Sequence, residues 1–125
     1  MKFTFSILAI SLLCTLTFLG NVSAMEPVYK ILREKEWKEF NSLGYFAGNS
    51  DDQRDGFIHL SPANQIQRII NKYFSNDRPL YILKFDDPNF LEKLVWEEAG
   101  SGGLYPHLYH VPLRLEDLRS YETMK

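Results

Sequence analysis

The chain has 125 residues, 14 basic against 16 acidic side chains, a formal charge of −2 and a single cysteine. That length holds one small domain with one core, and one cysteine allows no disulfide framework within the chain. With no basic run to follow a phosphate backbone, nucleic acid is a poor candidate partner.

Residues 1–24, "MKFTFSILAISLLCTLTFLGNVSA", pass from a lysine through an apolar run to the small residues Val22, Ser23 and Ala24. That order of charge, apolar run and small residues is the pattern of a secretory signal peptide cut after Ala24. The run falls short of the about 20 residues a membrane helix needs, so no stable membrane anchor is expected after cleavage. Cys14 follows Leu13 rather than a small residue, which argues against lipidation. Export is expected, to the periplasm or the outside, and the mature chain from Met25 to Lys125 must hold together by core packing alone.

In chain order, "VYKIL" (28–32) has the composition of a strand. "REKEWKEFNSLG" then puts Trp37, Phe40 and Leu43 on one helical stripe, pairs Glu34 with Lys38, and stops at Gly44, the residue type that best accepts a left-handed cap. The polar stretch "GNSDDQRDG" (48–56) is expected to be a loop. In "DGFIHLS" (55–61) a period of two sets Phe57, His59 and Ser61 on one face and Ile58 and Leu60 on the other, core-facing one. Ser61 is placed to cap a helix with Pro62 at its first position and Ile66, Ile69, Ile70, Tyr73 and Phe74 along its buried face. "PLYILKFD" (79–86) is a strand, "PNFLEKL" a helical turn, "VWEE" a further strand, and "AGSGG" is too flexible for regular structure. "LYPHLYHVPL" continues in extended form, interrupted by Pro106 and Pro112, and "RLEDLRSY" fits a helix or a strand equally. Alternating short helices and strands define one α+β domain over 25–125.

Chemistry concentrates on the three histidines, none of them in an expected helix. His107 and His110 are three apart and in a strand point to opposite faces, so a three-imidazole zinc set is not expected. Asp51, Asp52 and Asp55 lack the full calcium loop and its terminal glutamate, and "AGSGG" lacks the lysine of a phosphate loop. Glu97, beside the wall of Trp96, has two readings: a carboxylate tuned as an acid or base by desolvation, or a solvated edge residue. The mature chain offers no nucleophilic cysteine and no serine elbow.

"VYKIL", "EW", "SDDQRDGFIHLS", Gln65, "YF", "LYILKFD", "WE" and "GGLYPHLY", in this order over residues 28 to 118, resemble the small bacterial proteins grouped as domain of unknown function 952. The resemblance implies a compact split β-sheet sandwich with flanking helices, similar to the ADP-ribosyltransferase superfamily, with a nicotinamide dinucleotide cleft between its halves. It implies NAD or a related ribosylated nucleotide as a small-molecule substrate rather than a tightly held cofactor, with transfer or hydrolysis of ADP-ribose as the chemistry. His59 and Glu97 would be the catalytic pair, His59 at a ribose hydroxyl and Glu97 facing the charge at the anomeric carbon, and Ser61, Trp96, Tyr105, His107 and Tyr109 would hold the ligand. The alternative is a non-catalytic exported module that binds a small ligand or a partner on the same fold.

Overall fold

The computed structural model describes residues 25–100 and 102–125, so the expected signal peptide and Cys14 lie outside the described residues. The chain opens with β1 (Val28–Arg33) and turns directly into α1 (Glu34–Leu43), which closes at Gly44 with φ of 82°. β2 (Tyr45–Phe46), α2 (Ser50–Asp55), β3 (Ile58–His59) and β4 (Ser61–Pro62) follow. A 3-10 turn over Ala63–Gln65 leads to α3 (Ile66–Tyr73), then β5 (Leu80–Phe85), α4 (Pro88–Leu91) and β6 (Val95–Glu98). β7 (Leu104–Leu108), β8 (Leu113–Arg114), a 3-10 turn at Leu115–Asp117 and β9 (Ser120–Met124) complete the chain.

The strands form an antiparallel sheet ordered β4-β1-β5-β9, a second ordered β3-β7-β6, and the small β2-β8 pair. Alternation along β1 and β5 explains how the four-stranded sheet carries apolar surface on both faces. Val28, Leu32, Leu83 and Phe85 look toward the main core with Phe40, Phe46, Ile58 and Leu108, while Ile31 and Leu80 look the other way, under Ile70 and Phe74. Small α+β architecture is thus what the chain adopts, with the β3-β7-β6 sheet set apart from the first.

Three local expectations need correction. Residues 50–55 are helical, not a loop, because Asn49 accepts the Asp52 N–H while the Asp52 side chain accepts the Asn49 N–H, and Gly56 caps the other end with φ of 84°. Ser61 does not cap a helix: it belongs to β4, its hydroxyl donates to the Pro62 carbonyl, and α3 begins five residues later. The apolar stripes are also narrower than their periodicity suggests, since Leu43 and Tyr73 are about 60% exposed while Trp37 and Phe40 of α1 and Ile66, Ile69 and Ile70 of α3 pack on the core. Pro106 sits inside β7 without harm. Its carbonyl accepts from the Leu60 N–H, and its missing N–H lies on the side where β3 has already ended.

Truncating Ile70→Ala should cost about 2–5 kcal/mol in a urea melt, as expected of a sealed core position, whereas Tyr73→Ala on the same helix should cost under about 1 kcal/mol. Equal losses at both positions would contradict this packing.

Candidate functional site

β3 and β7 pair so that His59 stands directly across from His107 and Ile58 across from Leu108. Cross-strand partners project to the same face of a sheet, and the two imidazoles meet with ring centroids 5.8 Å apart. Ile58 and Leu108 take the opposite face and are buried in the core. A cavity of about 270 Å³ opens in front of the pair, lined by His59, His107, Ser61 and Tyr105, with Arg33 and Arg54 also on its wall.

Each histidine has a carboxylate on Nδ1. For His59 it is Asp52, whose Oδ1 lies 2.6 Å from Nδ1 and also accepts the His59 backbone N–H at 3.0 Å. Asp52 is buried, and both its oxygens are reached by the ammonium of Lys30, at 3.1 and 3.2 Å; Lys30 also donates to the His59 carbonyl at 2.9 Å. Burial alone would raise the Asp52 carboxyl, but the hydrogen bond from the His59 ring, the Lys30 charge and the backbone N–H groups of His59 and Asn49 outweigh it and hold it at about 2. On Lys30 burial prevails and lowers the ammonium from its ordinary value, with Asp52 pulling it back. Nε2 of His59 meets a second carboxylate, Asp55 Oδ2, at 2.9 Å. Both ring nitrogens of His59 thus face a carboxylate oxygen.

His107 is built differently. Its Nδ1 is 2.8 Å from Glu97 Oε1, the same oxygen that accepts the Tyr109 hydroxyl at 2.6 Å. Tyr109 and then His107 draw the Glu97 carboxyl below its usual range, and the Tyr109 phenol is raised in return by its bond to Glu97. Phe57 stacks on the His107 ring at 3.9 Å and also touches the rings of His59 and Tyr109. Among the described residues the other nitrogen of His107, Nε2, has no hydrogen-bond partner, and no buried side-chain nitrogen or oxygen is left unpaired, so Nε2 keeps access to the cavity.

Of the residues named from sequence, His59, Ser61, Tyr105 and His107 come together on the cavity wall. Ser61 is buried with its hydroxyl on the Pro62 carbonyl, and the Tyr105 hydroxyl donates to Gln65 Oε1. Glu97 and Tyr109 stand behind His107 rather than on the wall, and Trp96, paired with Pro106 across the strands and 40% exposed, is not part of the lining. His110 lies at an exposed bend with φ of 66°. Sequence reasoning missed Lys30, Asp52 and Asp55 as partners of His59. The signals were a lysine inside the apolar run "VYKIL" and the Asn49-to-Asp52 capping spacing.

A split antiparallel α+β domain with a paired-histidine cavity is the class these features define, and the chain belongs to the family described as Protein of unknown function (DUF952), matched over residues 31–121. The crystal structure of protein CC0527 from Caulobacter crescentus is similar, with 35% identity, a TM-score of 0.71, and coverage of 78% of this chain and 84% of that one. Its solution NMR structure gives a TM-score of 0.65 at 35% identity, over 77% of this chain and 82% of that one. No curated protein matches this chain.

Asp52→Asn should destabilise the protein by about 3–5 kcal/mol, since it strands a buried ammonium. In the parent protein the folded Asp52 value of about 2 lies below its ordinary 3.8, so its contribution is full above about pH 4 and is lost as pH falls through 2. The loss should be about 2 kcal/mol, read from urea melts between pH 5 and 2. A flat profile over that range would mean that the Asp52 carboxylate is not what holds Lys30 and the His59 ring in place.

Proposed function

We propose that the cavity in front of His59 and His107 binds a ribosylated nucleotide of the NAD or ADP-ribose class, on a scaffold similar to that of the ADP-ribosyltransferases. The observation that carries the reading is the side-by-side pair of imidazoles, which suits the two adjacent hydroxyls of a ribose. Arg33 and Arg54 supply positive charge on the same wall, and Tyr73 and Tyr105 supply ring surface for a base. About 270 Å³ is at the lower end of ligand-pocket volumes, so the cavity takes one nucleoside-sized half of a dinucleotide and the rest lies along its open side. NAD enters as substrate or exchangeable ligand rather than as a resident cofactor, and the protein acts after export.

Transfer or hydrolysis of ADP-ribose is favoured by the 2.8 Å bond that connects Glu97 to the wall through His107. A non-catalytic binding module is favoured by the same residue's placement, since neither β6 carboxylate, Glu97 or Glu98, lines the cavity. Calorimetric titration of the purified protein with NAD and with ADP-ribose, alongside an assay of released nicotinamide, separates the two. Binding is expected for both ligands, and His59→Ala should weaken it about tenfold or more, equivalent to about 1.4 kcal/mol. Nicotinamide release selects transfer, and binding without release selects the module. Failure of both nucleotides to bind would end the proposal.

A further inference from the structure

We infer that His59 and His107 form a general acid–base pair that hydrolyses a ribonucleoside cyclic phosphate. The inference goes beyond the nucleotide-binding reading and does not require that NAD bind. The two imidazoles share one wall of the same cavity, and each has a carboxylate at Nδ1, Asp52 for His59 and Glu97 for His107. Their surroundings differ. His59 has a carboxylate oxygen at each ring nitrogen, Asp52 at Nδ1 and Asp55 at Nε2, which suits it to the role of acid, while His107 has its Nδ1 on Glu97 and an open Nε2, which suits it to the role of base.

A pair of proton-handling groups has a specific use. Nicotinamide leaves NAD as a neutral molecule and needs no proton, so there the imidazoles hold ribose hydroxyls and neither delivers a proton to the leaving group. Rupture of a phosphorus–oxygen bond to ribose expels an alkoxide, which does need one. In the inferred step a water oxygen attacks phosphorus as His107 Nε2 takes its proton. The bond from phosphorus to one ribose oxygen breaks, and His59 Nε2 delivers its proton to that oxygen. The product is a nucleoside phosphomonoester with one freed hydroxyl; His107 then loses its proton to solvent and His59 regains one.

Three further features fit this chemistry. Arg33 and Arg54 line the cavity to meet the phosphoryl charge, although in the free protein they are held by Asp77 and by Asp51 and Asp55. The cavity's volume matches a mononucleotide better than a dinucleotide. Ser61, the one aliphatic hydroxyl among the cavity-lining residues, is already committed to the Pro62 carbonyl, which leaves water as the nucleophile. Asp55, one-third exposed on the last turn of α2, occupies the His59 Nε2 position that a ribose oxygen must take, and it moves aside when substrate enters.

The test is incubation of the purified protein with the four nucleoside 2′,3′-cyclic phosphates in the presence of EDTA, followed by phosphorus NMR. Conversion of at least one to a phosphomonoester with a bell-shaped pH profile is expected, with losses of about 100-fold or more in His59→Gln and His107→Gln. Because His107 is buried, Glu97→Gln is the safer companion: it should keep the melting temperature, lower the rate about tenfold and displace the acidic limb of the profile toward lower pH, since removing a negative charge beside an imidazole favours its neutral form. No hydrolysis of any of the four, or hydrolysis that Glu97→Gln and His107→Gln leave unchanged, overturns the inference. NAD binding without cyclic phosphate hydrolysis would overturn this inference and leave the nucleotide-binding reading standing, and hydrolysis without NAD binding would do the reverse.

Discussion

The buried ion pair between Lys30 and Asp52 is the constraint on which the cavity wall depends. Its members come from different layers: Lys30 from the inner face of β1, between Val28 and Leu32, and Asp52 from the middle of α2. Removing either charge from water is costly, and the cost is offset only because every acceptor position is used. The two oxygens of Asp52 receive the Lys30 ammonium, the Asn49 and His59 backbone N–H groups and the His59 ring. One carboxylate therefore caps a helix, orients an imidazole and neutralises a lysine, and α2 has a single position relative to β1 and β3 that satisfies all three. Gly48 belongs to the same constraint, since a Cβ there would lie 2.8 Å from that of Asp52, at a φ of 107°.

Two differently built arms follow from this. On the His59 side the supporting carboxylate is sealed in the protein and paired with a buried cation, while the ring itself is 39% exposed. On the His107 side the supporting carboxylate, Glu97, is 42% exposed on the edge strand β6, and the ring owes its orientation as much to the stacked Phe57 as to that carboxylate. Exposed ion pairs and hydrogen bonds are screened and individually weak. The wall thus joins a half-exposed imidazole on a buried carboxylate to a buried imidazole on an exposed carboxylate.

Which parts of this were legible in the sequence follows from how local the causes are. Strands β1, β5, β6 and β7 and helix α1 were readable because their patterns are contained in their own residues, as was the opposition of Ile58 and Leu60 to His59. Residues 50–55 misled because their composition is polar throughout: what makes them helical is Asn49 at one end and a lysine 22 residues earlier at the other side of Asp52, and no window centred on the segment contains Lys30. Ser61 misled for the opposite reason. A local rule, serine before proline before an apolar stripe, pointed to a cap, but pairing of Tyr29 with Ser61 across β1 and β4 claimed the residue for the sheet.

The site shows the same division at higher stakes. "HLS" and "PHLY" can each be seen to offer a histidine, yet their relation is a matter of register: His59 opposes His107 because β3 and β7 pair in that phase, and a slip of one residue would turn one ring into the core. That phase is fixed by Ile58 and Leu108, which must be buried together on the other face. Burial of those two apolar side chains is therefore what brings the imidazoles side by side, edge to face. The difference between the rings is then set from outside the pair, by Asp55 reaching in from α2 on one side and, among the described residues, by nothing reaching Nε2 of His107 on the other. A symmetric strand pairing is converted into an asymmetric pair of proton-handling groups by the placement of one short helix, and that placement traces back to Lys30.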